Sequence, residues 1–226
     1  MHKVSFIIPT LDEVQGITEV LESITDKELD GYEVEILVVD GGSTDGTRKE
    51  AERYGVRVFF EKGGKASAVR RGFEECQGDY VFLIDGDGSY PCDKISTMLD
   101  KLEDGSSMVL GSRFSGEVDD GAMSRVNRFG NRVLTSMANK LYGTEISDLC
   151  TGLRGVKTDC VGDIPGKGFE VEAGLHALMC DSNISEVPIR YKERAGESKL
   201  RIWDGFKIAK RLLVEKIKKK KERFFV

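Results

Sequence analysis

Two aspartates separated by a single residue stand directly after an apolar run in the first half of the sequence. Asp85 and Asp87 follow residues 81–84, and glycines at positions 86 and 88 leave both carboxylates uncrowded. Mg²⁺ and Mn²⁺ prefer oxygen ligands, and Mg²⁺ usually binds one or two carboxylates together with substrate phosphates. The pair therefore predicts a divalent-metal site that would neutralise a leaving diphosphate. The alternative for an isolated Asp-x-Asp is a simple Asx turn, so its position after an apolar strand carries the argument.

Polar and glycine-rich segments also follow four other apolar runs. In an open parallel sheet, ligands bind outside the carboxyl ends of the strands, so these segments are expected to meet at one edge. Asp40 is placed to accept hydrogen bonds from a base or ribose, and Ser43 and Thr44 are predicted to cap the following helix. The candidate binding residues at these strand ends are Pro9, Thr10, Glu13, Asp40, Gly42, Ser43, Lys65 and Arg113.

Strand and helix patterns alternate through the first half of the chain. β-branched runs predict strands at 4–8, 34–39, 56–60, 80–84 and 108–110, with helices near 14–25, 44–54, 65–76 and 93–103 between them. This alternation predicts an α/β fold with a mostly parallel central sheet and right-handed crossovers. The second half predicts a Gly- and Asp-rich loop at 115–121, a helix near 123–141, a Gly-rich segment at 152–168, a helix near 170–180, a strand at 184–191 and a last helix from about 200 to 220.

Length, charge and cysteine content narrow the class of protein. The 226 residues suggest one domain, and the net charge of −5 divides into +7 over residues 207–226 and −12 over the rest. An acidic body argues against nucleic acid as a partner. The five cysteines show no CxxC spacing and there are two histidines, so a zinc site has little support and a reducing compartment is expected. Neither a signal peptide nor a membrane-spanning run is predicted, so we expect a cytoplasmic location.

The sequence does not match the Walker A motif or the dinucleotide-binding fingerprint. A Walker A loop requires Ser or Thr after Gly-Lys, but Gly64-Lys65 is followed by Ala66 and Gly166-Lys167 by Gly168. The dinucleotide fingerprint fails at Pro91, which stands where Gly or Ala belongs. ATPase and dehydrogenase functions are therefore disfavoured.

The ordered set of motifs resembles the family 2 glycosyltransferases of GT-A fold, and among them the dolichyl-phosphate and polyprenyl-phosphate sugar synthases. The resemblance covers residues 3 to 200. It rests on residues 9–13 (PTLDE), 38–47 (VVDGGSTDGT), 85–87 (DGD), 111–114 (GSRF), 148–154 (DLCTGLR) and 194–200 (RAGESKL). Leu11, Asp12 and Gly41 depart from the aromatic, Asn and Asp of the family pattern, which leaves the nucleotide base open.

The resemblance implies a role for each matched residue. Pro9, Glu13 and Asp40 would hold the nucleotide, and Asp85 and Asp87 would bind Mg²⁺ or Mn²⁺ and the diphosphate. Arg113 and Arg128 would hold the acceptor phosphate, and Lys199 would lie near the phosphates. The catalytic domain would span residues 1–200, with a nucleotide-sugar half at 1–114 and an acceptor half at 115–200. The implied reaction inverts the anomeric configuration in a single displacement.

The predicted acceptor is a polyprenyl (dolichyl) phosphate, and the predicted donor is a UDP- or GDP-sugar. A lipid phosphate is already an anion and needs only arginines to position it, whereas a hydroxyl acceptor needs a base. Asp148 is the candidate base in that alternative, and it could equally serve as a helix cap or a structural ion pair; Glu170 and Glu172 are further candidates. The remaining alternatives are a sugar nucleotidyltransferase and a non-catalytic nucleotide-sugar-binding protein.

The last stretch of the chain, residues 201–226, predicts a basic amphipathic helix. Trp203, Phe206, Ala209, Leu213 and Ile217 recur at helical spacing, with lysines and arginines elsewhere around the helix. A cationic amphipathic helix gains about 1 kcal/mol for each Lys or Arg near an anionic leaflet. We therefore expect peripheral attachment to the cytoplasmic face of the membrane; the alternative is a solvated run of charges.

Overall fold

The computed structural model describes residues 2–26, 29–196, 199 and 201–222. In this part of the chain, a seven-stranded sheet forms the centre of the molecule. Its strands are β1 (His2–Thr10), β2 (Tyr32–Asp40), β3 (Arg57–Phe60), β4 (Tyr80–Leu83), β5 (Met108–Val118), β6 (Arg154–Lys157) and β7 (Ile184–Tyr191). The strand order is β3-β2-β1-β4-β6-β5-β7. The first four strands run parallel to one another, β5 pairs with β7 in parallel, and β6 is antiparallel to both of its neighbours. The predicted α/β class with a mostly parallel sheet is confirmed.

Seven helices cover the described sheet: α1 (Val14–Thr25), α2 (Thr47–Arg53), α3 (Lys65–Glu75), α4 (Ile95–Glu103), α5 (Arg125–Tyr142), α6 (Val171–Met179) and α7 (Ile202–Glu222). Because neighbouring residues of a strand point to opposite faces, β1 supplies two cores at once. Phe6 packs in the cluster that also contains Ile17 of α1, while Ile7 packs in the cluster that contains Val69 of α3. Burial on both faces holds the strand ends, and thus the loops that follow them, in fixed relative positions.

Strand β6 lies inside the segment 152–168, for which the sequence predicted only glycine-rich chain. This short strand separates β4 from β5 and reverses direction. Gly155 faces Phe82 so closely that a Cβ there would lie 2.7 Å from the ring. The missing side chain therefore lets β6 pack beneath an aromatic residue of β4.

Strand β5 is longer than predicted and includes residues 115–118, which were expected to form a loop. Its pairing with β7 shifts register between Ser112 and Glu117. Gly116 lies against the backbone of Ile189, where no side chain would fit. The irregularity resembles a β-bulge, a feature that commonly re-aims a strand beside a functional site.

Helix α7 packs on the domain with a face other than its predicted apolar stripe. Ile208 and Leu212 are buried, and the Leu212 carbonyl accepts a hydrogen bond from the Tyr142 hydroxyl of α5. Trp203 and Phe206 are instead 73% and 64% exposed. Several bases of this helix are paired within the molecule, including Lys207 with Asp204 and Lys219 with Asp181. Within residues 2–222 as described, no helix combines the length and apolar character needed to span a bilayer.

Candidate active site

The loops after β1 and β2 are joined at the carboxyl edge of the sheet. Buried Asp40 accepts hydrogen bonds from the backbone N–H groups of Gly42 and Ser43 and from the Ser43 hydroxyl. Asp12, whose φ is +48°, accepts a hydrogen bond from the Thr44 N–H at 2.7 Å. Asp40 therefore shapes its own loop, and its predicted contact with a nucleotide remains a prediction.

The predicted capping role of Ser43 and Thr44 is wrong. Helix α2 begins at Thr47, its N-cap is Gly46, and no side chain caps it. Ser43 and Thr44 instead bond Asp40 and Asp12, because those acids compete for them within the folded loops. The sequence analysis missed Asp45, which accepts a hydrogen bond from the Val14 N–H and thereby supports the start of α1.

The hydroxyl of Thr10 is buried and finds no hydrogen-bond partner among the described residues. Its carbonyl accepts a hydrogen bond from the Gly41 N–H at 2.8 Å, which ties the ends of β1 and β2 together. Gly86 approaches the Thr10 side chain so closely that an added Cβ would lie 2.7 Å from its methyl group. The predicted residues Thr10, Asp40 and Asp85 are thus brought to one edge of the sheet.

Asp85 is paired with a lysine rather than held free. Its Oδ1 lies 2.7 Å from the Nζ of Lys65, which also lies 2.6 Å from the Oε1 of Glu172 on α6. Burial by itself would raise the pKa of Asp85, but the nearby Lys65 ammonium holds that pKa below its usual value. The absent side chain of Gly152 makes room for the Asp85 carboxylate. Pro9 lines the small cavity beside this pair.

Asp87 is paired with Arg194, a residue that the sequence analysis quoted in a motif but did not assign to the site. Arg194 Nη1 lies 2.9 Å from Asp87 Oδ2, and the Ala195 N–H donates to the Asp87 carbonyl. The other carboxylate oxygen accepts hydrogen bonds from the N–H and hydroxyl of Ser89. The segment after β7 thus closes against the Asp-Gly-Asp loop.

Glu13 and Lys199 make a second contact between the segment after β7 and the loops at the carboxyl edge of the sheet. Lys199 Nζ forms an ion pair with Glu13 and donates a hydrogen bond to the Asp12 carbonyl. Burial raises the pKa of Glu13 above its usual value, an effect that the lysine only partly offsets. Lys199 is therefore placed beside the predicted nucleotide pocket. Ser198 and Leu200 of the same motif lie outside the described residues.

The donor set at Asp85 and Asp87 fits a divalent cation that is shared with a substrate. Among the described residues, no group of three or more His, Cys, Asp or Glu side chains could hold a metal alone. Two carboxylates on one loop are sufficient when phosphate and water supply the remaining ligands. A cation at this place would compete with the lysine and arginine that now neutralise the two acids.

Arg113 and Asp148 form a buried ion pair with paired hydrogen bonds. Arg113 Nε and Nη2 donate to the two oxygens of Asp148 at 2.7 and 2.8 Å, and Asn131 donates to Asp148 at 2.6 Å. Burial would raise the pKa of Asp148, but the Arg113 guanidinium keeps it below its usual value. A carboxylate this stabilised is a weak proton acceptor, so the geometry favours the structural ion pair over the general base.

Asp148→Asn is expected to flatten the acid dependence of stability. Because the folded-state pKa of Asp148 is lowered, the pair contributes stability above about pH 4 and loses it as the pH falls through the folded-state value. Urea unfolding from neutral to acid pH measures this effect. Asp119, which is partly buried but pairs with the exposed Arg190, supplies the control Asp119→Asn, for which solvent screening predicts a smaller change. Equal flattening in both variants would contradict the assignment.

A cavity of about 440 Å³ opens beside this ion pair, between α5, the segment after β7 and the start of α7. Arg113, Arg194 and Arg201 line it together with Glu193. Its remaining lining is mainly apolar or small: Gly121, Ala122, Met123, Ser124, Val126, Asn127, Gly130, Asn131, Leu134, Cys150, Tyr191, Gly196, Gly205 and Ile208. Arg128, predicted to hold the acceptor phosphate, lies on α5 but does not line this cavity. Arg194 and Arg201 were not predicted, although the motif at 194–200 gave a signal for Arg194.

Comparison with known proteins identifies the family. The Glycosyl transferase family 2 profile matches residues 5–164. A dolichyl-phosphate hexose transferase of Haloferax volcanii is 35% identical over 86% of this chain and 85% of its own length. The chain belongs to glycosyl transferase family 2.

Two further comparisons show a similar sequence and a similar fold. Glycosyltransferase AglJ of Haloferax volcanii is 35% identical over 84% of this chain, which spans 63% of that protein's length. A crystal structure of glucosyl-3-phosphoglycerate synthase from Mycobacterium tuberculosis, with Mn²⁺, UDP-glucose and phosphoglyceric acid, superposes with a TM-score of 0.72. It covers 95% of this chain and 80% of its own chain at 24% identity, and it supports the shared fold. The predicted resemblance to this family is confirmed.

Proposed function

We propose that this family 2 member transfers a sugar from a UDP- or GDP-sugar to the phosphate of a polyprenyl (dolichyl) phosphate, giving a lipid-phosphate monosaccharide for glycan assembly. The observation that carries the proposal is the arginine-lined cavity that adjoins Asp87 through Arg194. Arginine binds phosphate oxygens with paired hydrogen bonds, and the apolar part of the lining suits a prenyl chain. The name of the Haloferax dolichyl-phosphate hexose transferase supports the same acceptor class.

Different residues of the chain would bind the donor and position the acceptor for an inverting displacement. Thr10, Asp40 and Ser43 would hold the nucleotide at the β1 and β2 ends, where the unpaired Thr10 hydroxyl offers a hydrogen bond. A Mg²⁺ or Mn²⁺ ion at Asp85 and Asp87 would supply charge neutralisation for the diphosphate. Arg113, Arg194 and Arg201 would aim an acceptor phosphate oxygen at the anomeric carbon, on the side opposite to the leaving group. No base is required, because the acceptor is already ionised at neutral pH.

A soluble phosphate-bearing acceptor is the second candidate. The Mycobacterium tuberculosis synthase that shares the fold was crystallised with phosphoglyceric acid, which presents a hydroxyl beside a phosphate. Glu193 is the acid among the described residues that line the cavity, and it would be the base that such a hydroxyl needs.

A donor panel separates the two candidates. The purified chain is incubated with Mn²⁺ and labelled UDP- or GDP-sugars, with either a polyprenyl phosphate or 3-phosphoglyceric acid. We expect lipid-dependent label in the organic phase from one donor. Label that enters only the water-soluble phosphoglycerate product would overturn the lipid acceptor and favour the second candidate.

We further propose that α5 and α7 rest on the cytoplasmic surface of an anionic membrane. Val126, Phe129 and Val133 stand on one face of α5 and are half or more exposed, as are Trp203 and Phe206 of α7. Val126 and Gly205 line the cavity, so the two apolar groups flank its opening. Lys210 and Lys220 make no ion pair with any residue that the structure describes. Exposed apolar residues next to such bases suit the headgroup region, and a lipid acceptor would reach the arginines from that side.

Phe129→Asp is expected to weaken binding to anionic vesicles by about 10–100-fold, because one inserted aromatic side chain is worth roughly 1.5–3 kcal/mol and each 1.4 kcal/mol is a factor of about ten. Co-sedimentation with phosphatidylglycerol vesicles measures the change. Phe60→Asp is the matched control, since Phe60 is 53% exposed but lies on β3, away from α5 and α7. If both variants bind as the unchanged protein does, α5 does not contact the membrane.

A further inference from the structure

Lys65 bridges two carboxylates that belong to different elements. It is the first residue of α3, and its Nζ contacts Asp85 after β4 and Glu172 in the first turn of α6. Its side chain is 16% exposed and that of Glu172 is 10% exposed, so water screens neither ion pair fully. One ammonium therefore contacts two acids, of which Asp85 is a predicted metal ligand.

The surroundings of Lys65 would let its side chain move away from Asp85 when another cation binds there. A cavity of about 10 Å³, room for about one water molecule, lies between Lys65, Asp85 and Glu172. Glu172 would still neutralise Lys65 if the contact with Asp85 were broken. The transfer reaction proposed above gives Glu172 no other task, and the sequence analysis considered it only as a base.

We propose that Lys65 stands in for the divalent cation at Asp85, and that Glu172 is a positioning residue that holds Lys65 when the cation binds. This inference deepens the proposed function and rests on its metal-dependent half. Two cations cannot share one carboxylate oxygen at close range without strong repulsion, so metal entry requires Lys65 to withdraw. Glu172 lowers the cost of that withdrawal, because it leaves the buried ammonium with a counter-charge.

Binding of Mn²⁺ alone tests the inference without turnover. The loss of the free-Mn²⁺ electron paramagnetic resonance signal gives a Kd for the full chain in the absence of nucleotide sugar and acceptor. Lys65→Met removes the competitor and is expected to tighten Mn²⁺ binding by about tenfold, the size of one charge-assisted hydrogen bond. Glu172→Gln leaves Asp85 as the one carboxylate that pairs with Lys65, so Lys65 should withdraw less readily. It is expected to weaken Mn²⁺ binding by about fivefold. In the Lys65→Met background, the same Glu172→Gln change should alter Kd by less than about twofold.

The control is Lys62→Met, because Lys62 lies over the Phe60 ring on the same loop. It should leave the Mn²⁺ Kd within about twofold of the unchanged protein. If thermal unfolding shows that Lys65→Met does not fold, Lys65→Gln replaces it with the same expectations.

Any of three results would overturn the inference. The first is that Lys65→Met fails to tighten Mn²⁺ binding. The second is that Glu172→Gln changes the Kd equally in the unchanged protein and in the Lys65→Met variant. The third is that no variant binds Mn²⁺. The lipid-transfer assay reports separately on the acceptor. Coupling between Lys65 and Glu172 without a lipid product would uphold this inference and reject the acceptor.

Discussion

Asp85→Asn is expected to lower kcat/KM for sugar transfer by about 10²–10³-fold, the loss seen when one preorganised charge-stabilising group is removed from an active site. Asn keeps the size of the side chain but removes the charge that would bind the cation, so the diphosphate would leave without full neutralisation. Initial rates at saturating Mn²⁺, with circular dichroism to confirm folding, measure this effect.

The matched control for this substitution is Asp119→Asn, which makes the same chemical change in an exposed ion pair with Arg190. It should leave the transfer rate near that of the unchanged protein. If Asp85→Asn lowered the rate no more than the control, Asp85 would not be a metal ligand, and the Asp-Gly-Asp loop would have a purely structural role.

Asp148→Leu is expected to destabilise the protein by about 3–5 kcal/mol, because it leaves Arg113 buried without a counter-charge. The double change Arg113→Met with Asp148→Leu removes both charges and should recover most of that loss. The free energy of unfolding in urea measures both effects.

Asp119→Ala serves as the surface control for the buried pair, and its effect on unfolding should be much smaller, because solvent screens the pair that it breaks. A double variant no more stable than Asp148→Leu would show that Arg113 and Asp148 do not depend on each other. The double variant should nevertheless lack transfer activity, since Arg113 lines the cavity that is proposed to bind the acceptor.

Local patterning was sufficient to predict the elements with strong periodicity. The predicted helix at 14–25 and strand at 184–191 have the observed bounds, because their apolar residues repeat with helical and strand spacing. Strand β6 has four residues, two of them charged, and its reason for forming is the room that Gly155 leaves for Phe82. Such a tertiary fit has no signature in a single sequence.

The location of the site could be predicted from the sequence, but the ion pairs within it could not. Strand ends in a parallel sheet must meet at one edge, so the convergence of Thr10, Asp40 and Asp85 followed from their spacing. The contacts around the two acids join distant parts of the chain. Lys65, which pairs with Asp85, also pairs with Glu172, 107 residues further on, and Arg194 reaches Asp87 from the segment after β7. Charge alone does not select among the many bases available, and only the fold determines which of them are neighbours.

The acceptor phosphate is the central claim, and two acceptors that differ only in that group test it most directly. Labelled donor and Mn²⁺ are incubated with a polyprenyl phosphate or with the polyprenol of the same length, and label in the organic phase is counted. We predict label with the phosphate, none with the alcohol, and loss of label when the metal is chelated. Equal labelling of the two lipids, or labelling of the alcohol alone, would contradict the account, because transfer to the alcohol does not use the phosphate that the cavity arginines are proposed to bind and would require a base such as Glu193.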